Sequence, residues 1–151
     1  MNLQISDGTL GQEYSTIIKP NPQFFQQVGE ERFRKLVSDH YELIRQTPIA
    51  FMFPVDYEED FDKVKKHAAD FLIQVCGGPD YYAQTRGDPK MLARHTRFRI
   101  DDKGRRAWLE CYATLLADVE REGVSAESIE SFWNYLDAFS KVLVNTENYL
   151  T

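Results

Sequence analysis

Apolar residues recur along the chain with the period of a helix. Phe33, Leu36, Val37, His40, Tyr41 and Ile44 fall at i, i+3, i+4, i+7, i+8 and i+11, one stripe of an amphipathic helix. That helix must stop near Thr47, because Pro48 disfavours α geometry before it. Ahead of it, Asn21-Pro22 predicts a cap and first-turn proline for a short helix carrying Phe24, Phe25 and Val28. Behind it lies an apolar corner, Ile49 to Pro54, and then a third helix from about Glu58 to Cys76. Phe61, Val64, Ala68, Phe71, Leu72 and Val75 share a face of this helix, and Gly77-Gly78-Pro79 ends it. Asp80 to Gly87 mixes polar and aromatic residues without a period. Asp88-Pro89 predicts the cap and opening of a short helix with Met91, Leu92 and His95 on its inner side. After Asp101-Asp102 a long helix turns Trp108, Cys111, Tyr112, Leu115, Leu116 and Val119 inward, and Gly123 closes it. Ser125 caps the last helix, whose buried face is Ile129, Phe132, Trp133, Leu136, Phe139 and Leu143. No stretch alternates as a strand would, so the fold class is all-α. Residues 1–20 show no sustained period and end in breakers around Pro20 and Pro22, which makes them an N-terminal extension outside the core and leaves 21–151 as the domain.

A length of 151 residues supports one domain with a core of its own. The net charge of −6 argues against a surface built for nucleic acid or for an anionic membrane. With neither a secretory leader pattern nor a membrane-spanning apolar run, the expected location is the cytoplasm. Cys76 and Cys111 stand alone in apolar surroundings, as small core residues rather than parts of a disulfide or zinc framework. Charge is unevenly spread: Arg86 to Arg106 holds eight basic and three acidic residues, a balance of +5 that leaves −11 for the rest of the chain. A basic island in an acidic protein suggests either a local anion partner or a merely solvated face.

The island surrounds one of three histidines. His40 and His67 lie on helices among charged residues and read as exposed or half-buried surface histidines. His95 lies on the apolar side of a short helix, with Phe98 at i+3. An imidazole, basic groups around it and aromatic-rich helices on either side would serve a haem, which takes an axial nitrogen, cations at its propionates and flat apolar contacts. On these grounds alone an unspecified helical interaction module stands ahead of a haem.

The ordered segments Gly77-Gly78-Pro79, Arg86-Gly87-Asp88-Pro89, Arg94-His95-Thr96-Arg97-Phe98-Arg99-Ile100 and Ala107-Trp108-Leu109 resemble those of the truncated haemoglobins, specifically their second group. The likeness runs from about Asn21 to Asn145. It implies a shortened globin fold, a two-over-two helical sandwich around haem b (iron protoporphyrin IX), with the helix before the iron-binding histidine mostly replaced by loop. By position, His95 is implied as the proximal iron ligand and Phe53 as the ring packed on the haem face. Tyr41 falls at the distal tyrosine and Trp108 at the tryptophan that points its N–H into the distal pocket. Tyr82, Arg94 and Arg99 fall where the propionates or the haem edge are contacted, while Phe71 and Phe98 line the cofactor. Val64 occupies the place of the distal histidine of many globins, Ala68 lies one turn on, and a one-turn slip of register would bring His67 to the pocket. The family's first glycine pair is reduced here to Gly29-Glu30, and extra residues separate Phe53 from the third helix.

The resemblance implies a protein that binds O2, nitric oxide or another diatomic ligand. With Tyr41 and Trp108 as donors, O2 would be held for redox chemistry rather than transported. Nitric oxide oxidation supported by an electron-donating reductase, or peroxide-like chemistry, fits that expectation. Two other classes stay open: a gas- or redox-sensing haem module that uses the N-terminal extension as its output, and a haem-free helical adaptor for an acidic partner.

Overall fold

A computed structural model of the protein describes residues 1–8, 10 and 17–150, so residues 9 and 11–16 of the N-terminal extension, and Thr151, lie outside the described residues. The described chain forms seven α-helices: α1 Pro22–Val28, α2 Glu30–Ile44, α3 Glu58–Val75, α4 Tyr81–Arg86, α5 Met91–His95, α6 Asp102–Arg121 and α7 Ala126–Leu143. A single 3-10 turn, Ala50–Met52, sits in the apolar corner after α2. Among the described residues there is no strand, as the periodicity requires.

Side-chain caps open three helices, at the predicted Asn21 and Ser125 and also at Asp101. The Asn21 side chain accepts from the Gln23 backbone ahead of Pro22, Asp101 accepts from Gly104, and Ser125 accepts from Ser128. Packing is in pairs, α2 against α3 and α6, and α6 against α7, which is the two-over-two sandwich. Phe24, Phe33 and Phe132 meet in its centre, with Phe24 stacked on Phe132 at 4.3 Å between ring centroids. Both cysteines are buried and free.

Several expectations are corrected. Asp80 to Gly87, which shows no period in sequence, contains a helix, Tyr81–Arg86. Six residues are too few to display a period, and this helix is held from outside, by burial of Tyr82 and by the Gln74 side chain accepting from the Ala83 backbone. Asp88 does not cap α5. Lys90 precedes that helix with φ 44°, and Asp88 instead accepts from the Lys90 backbone at 3.3 Å, a turn closed by its own side chain. Leu92, expected inward, is exposed, because a five-residue helix turns only the side that carries Met91 and His95 toward the cavity. His40 is no surface residue; it is fully buried, at the register its own stripe predicts.

The N-terminal segment is partly packed. Leu3 and Ile5 lie against the core, and the Trp133 indole N–H donates to the Gln4 carbonyl at 2.8 Å. Ser6 donates through backbone and hydroxyl to Asp137, while the Ser6 carbonyl accepts from Arg105 at 2.9 Å. The other end of the chain binds the loop after α5. Asn145 bonds Phe98 and Ile100, and the Tyr149 and Leu150 backbone N–H groups donate to Asp101. No helix among the described residues is long and apolar enough to cross a membrane.

Candidate functional site

Between the layers lies a cavity of about 950 Å³, at the upper end of the roughly 300–1,000 Å³ range of cofactor sites. Its wall brings together residues far apart in sequence: Tyr41 from α2, Phe53 from the corner, Val64, His67, Ala68 and Phe71 from α3, Tyr82 from α4, Arg94 and His95 from α5, Phe98 from the following loop, and Trp108 from α6. These are residues the resemblance implies for the cofactor site, His67 only through a one-turn slip of register. Arg99 is not on the wall. Its guanidinium lies 4.0 Å from the centroid of the Tyr149 ring, and its carbonyl accepts from the Tyr149 hydroxyl. The C-terminal segment takes the place at Arg99 that a cofactor edge was expected to fill.

His95 is oriented by its own helix. Its Nδ1 lies 2.6 Å from the Met91 carbonyl. A carbonyl only accepts, so Nδ1 carries the hydrogen and Nε2 is left with a free lone pair, the tautomer of a metal-ligating histidine. The Phe98 ring stands 6.3 Å away at 52°.

The other side of the cavity is built from rings. Tyr41 meets Phe53 edge-on at 5.4 Å and Phe61 at 6.0 Å. Trp108 meets Tyr112 at 5.1 Å. Buried tyrosine and tryptophan usually spend their polar tips on the backbone. Trp133 does so, on Gln4. Among the described residues the Tyr41 hydroxyl and the Trp108 indole N–H have no protein partner, and both residues line the cavity. Burial pushes the Tyr41 hydroxyl well above the usual phenol range, so it keeps its proton as a donor.

Cations sit at the rim. Arg86 and Arg94 flank the Tyr82 ring at 5.9 and 5.6 Å, and Arg94 is fixed by donating to the Pro89 carbonyl at 2.7 Å. Arg97 lies over Phe98 at 4.8 Å. Burial first, then the charges of Arg86 and Lys66, hold His67 below the usual imidazole range against the opposing pull of Asp70. Among the described residues, His67 Nδ1 is buried and unpaired. Other members of the basic island are occupied by protein: Arg105 binds Asp102 and Asp137, Arg106 binds Asp102, and Lys103 donates to the Leu150 carbonyl. Sequence reasoning had counted Arg86 and Arg97 in the island without placing them at the site, and it missed Tyr112, which its position one turn after Trp108 could have signalled.

The donor set fits a haem. A histidine with its Nε2 lone pair unspent lines an apolar cavity of sufficient size, cations stand at the rim, and two unpaired hydrogen-bond donors share the same wall.

Comparison with known proteins agrees with this geometry. A family model of bacterial-like globins matches residues 23–145. The chain is 27% identical over 85 residues to group 2 truncated hemoglobin 3-1 of Lotus japonicus, covering 56% of this chain and 51% of that protein, so it spans about half the length of the curated relatives it matches. Among solved structures, phosphate-bound Hell's gate globin IV is similar with a TM-score of 0.84 and 35% identity, over 98% of this chain and 90% of that one. The truncated oxygen-avid haemoglobin from Bacillus subtilis is similar with a TM-score of 0.71 and 29% identity, over 81% of this chain and 98% of that one. The chain belongs to the bacterial-like globin family and is a two-over-two truncated haemoglobin of the second group.

Proposed function

We propose that the protein holds haem b through His95 Nε2 and retains O2 beneath Tyr41 and Trp108 for redox chemistry such as oxidation of nitric oxide to nitrate, in the cytoplasm, with an electron-donating reductase as partner. The observation that carries this reading is the pair of unspent donors, Tyr41 O–H and Trp108 N–H, on the wall of the cavity that His95 lines. When bound, the haem supplies an iron that takes a diatomic ligand and exchanges electrons. Phe53, Val64, Ala68, Phe71 and Phe98 would cover its apolar faces, and Arg86, Arg94 and Arg97 with Tyr82 would take its propionates. Tyr41 and Trp108 would donate to a ligand that gains negative charge, and each such hydrogen bond contributes about 1.5–3 kcal/mol, roughly tenfold or more in dissociation rate. Small Val64 and Ala68 leave room for the ligand, and neutral His67 adds a lone pair without adding charge. The oxygen avidity of the Bacillus subtilis relative supports slow release.

The test is Trp108→Phe. O2 dissociation measured by stopped flow should accelerate about tenfold or more, and an unchanged rate would remove the distal-donor role. A sensing role is the second reading, favoured by one contact: Ser6 of the N-terminal segment bonds Arg105, which lines the cavity.

A further inference from the structure

The distal wall rests on a residue that is not itself on the wall. His40 is fully buried on α2, one position before Tyr41. Its ring stacks on Tyr112 at 3.6 Å and 16°, and it stands edge-on to Trp108 at 5.2 Å and to Tyr41 at 5.5 Å. Three cavity-lining rings therefore share one neighbour. His40 Nε2 lies 2.9 Å from the Trp108 carbonyl oxygen, so Nε2 carries the hydrogen and donates it. Trp108 is in the middle of α6, where one carbonyl lone pair serves the helix itself. The His40 bond uses the second lone pair and ties α6 to α2 at this residue. Nδ1 is then a bare acceptor, and among the described residues it is buried without a partner. A leucine or phenylalanine would fill this place with no unpaired nitrogen. A buried polar group kept at such a cost asks for a role beyond packing.

We propose that His40 is a positioning residue for the distal donors: through its hydrogen bond to the Trp108 carbonyl it fixes the rotation of α6 against α2, and with it the aim of the Trp108 indole N–H into the cavity. The inference rests on the reading of Trp108 as a ligand donor. It separates the two functional parts of His40, since phenylalanine keeps the ring and loses the donor, whereas glutamine keeps a donor at a similar reach and loses the ring.

The test uses the haem-loaded full chain and its His40→Phe, His40→Gln and Trp108→Phe variants. The readouts are the C–O stretching frequency of the carbon monoxide complex, which reports the donor facing the ligand, and the O2 dissociation rate. His40→Phe should shift the frequency in the same direction as Trp108→Phe and raise the off-rate several-fold, while His40→Gln should keep both near the parental values. Parental values in His40→Phe, alongside a clear effect of Trp108→Phe, overturn the positioning role and leave the donor reading intact. Loss in His40→Gln with retention in His40→Phe assigns the effect to ring packing and overturns the tether. A silent Trp108→Phe removes the donor reading and the proposal with it. Nitrogen-15 NMR of the unmodified carbon monoxide complex needs no variant to fold: the His40 ring should show the Nε2–H tautomer, and an Nδ1–H tautomer overturns the tether.

Discussion

Arg105 is the most heavily bonded cation in the described structure, and removing it should be costly. Its guanidinium donates to Ser140 Oγ, the Ser6 carbonyl, Asp102, the Asp137 carbonyl and the Asp137 carboxylate, the last at 2.6 Å, and the side chain is wholly buried. In Arg105→Leu, Asp102 would keep Arg106 at 2.8 Å, but Asp137 would lose its cation and, among the described residues, retain only the donors of Ser6. Breaking a buried pair from one side costs about 3–5 kcal/mol, because the remaining charge is left without a counter-ion in a poorly solvated place. For a chain of this size each kcal/mol moves Tm by about 2–4 °C, so the fall should be roughly 6–20 °C. The assay is thermal and urea unfolding followed by circular dichroism, with cofactor loading matched between samples. Deleting residues 1–8 should cost less after Arg105→Leu than before it, since the Ser6 contact is common to both changes. A loss below about 1 kcal/mol, as for an exposed ion pair, would refute the reasoning.

Two further outcomes follow from particular residues. Burial lowers the His40 pKa to about 3, against the weaker pull of its bond to the Trp108 carbonyl, so the unfolded chain binds a proton between pH 6.5 and 3 that the folded chain refuses. Its contribution is complete above pH 6.5 and is lost as pH falls, by about 2 kcal/mol at pH 5; His40→Leu should flatten the urea-stability profile between pH 7 and 5, and an unaltered slope would contradict this. At Gly8 a Cβ would stand 2.3 Å from Asp102 Oδ1 and 2.8 Å from Arg105 Nη1, atoms fixed by their own hydrogen bonds. Gly8→Ala should therefore cost about 1–3 kcal/mol and speed hydrogen exchange in residues 1–8; parental exchange there would show that the segment accommodates the methyl group.

The long helices were legible because each spans enough turns to display a stripe, and α2 even placed His40 inward while its charged neighbours suggested a surface position. Charge near a residue in sequence says little about a helix face, since successive residues point about 100° apart. What escaped was set by contacts between distant segments. The helix Tyr81–Arg86 depends on Gln74 and on burial of Tyr82, the left-handed Lys90 displaces the expected cap, and Tyr149 draws Arg99 away from the cavity. None of these leaves a local pattern. The site was read mainly through ordered motifs around His95 and Trp108, and the basic island located it independently. The chain's arithmetic could not show that Arg105 and Arg106 serve Asp102 and Asp137 rather than a ligand.

The central claim is that His95 holds a haem, and the absorption spectrum of the recombinant protein with and without that side chain tests it most directly. The parent should carry a Soret band; His95→Gly should lose most of its haem or show an altered spectrum that added imidazole restores. A colourless parent, or a His95→Gly variant with parental haem content and an unaltered spectrum, would contradict the account.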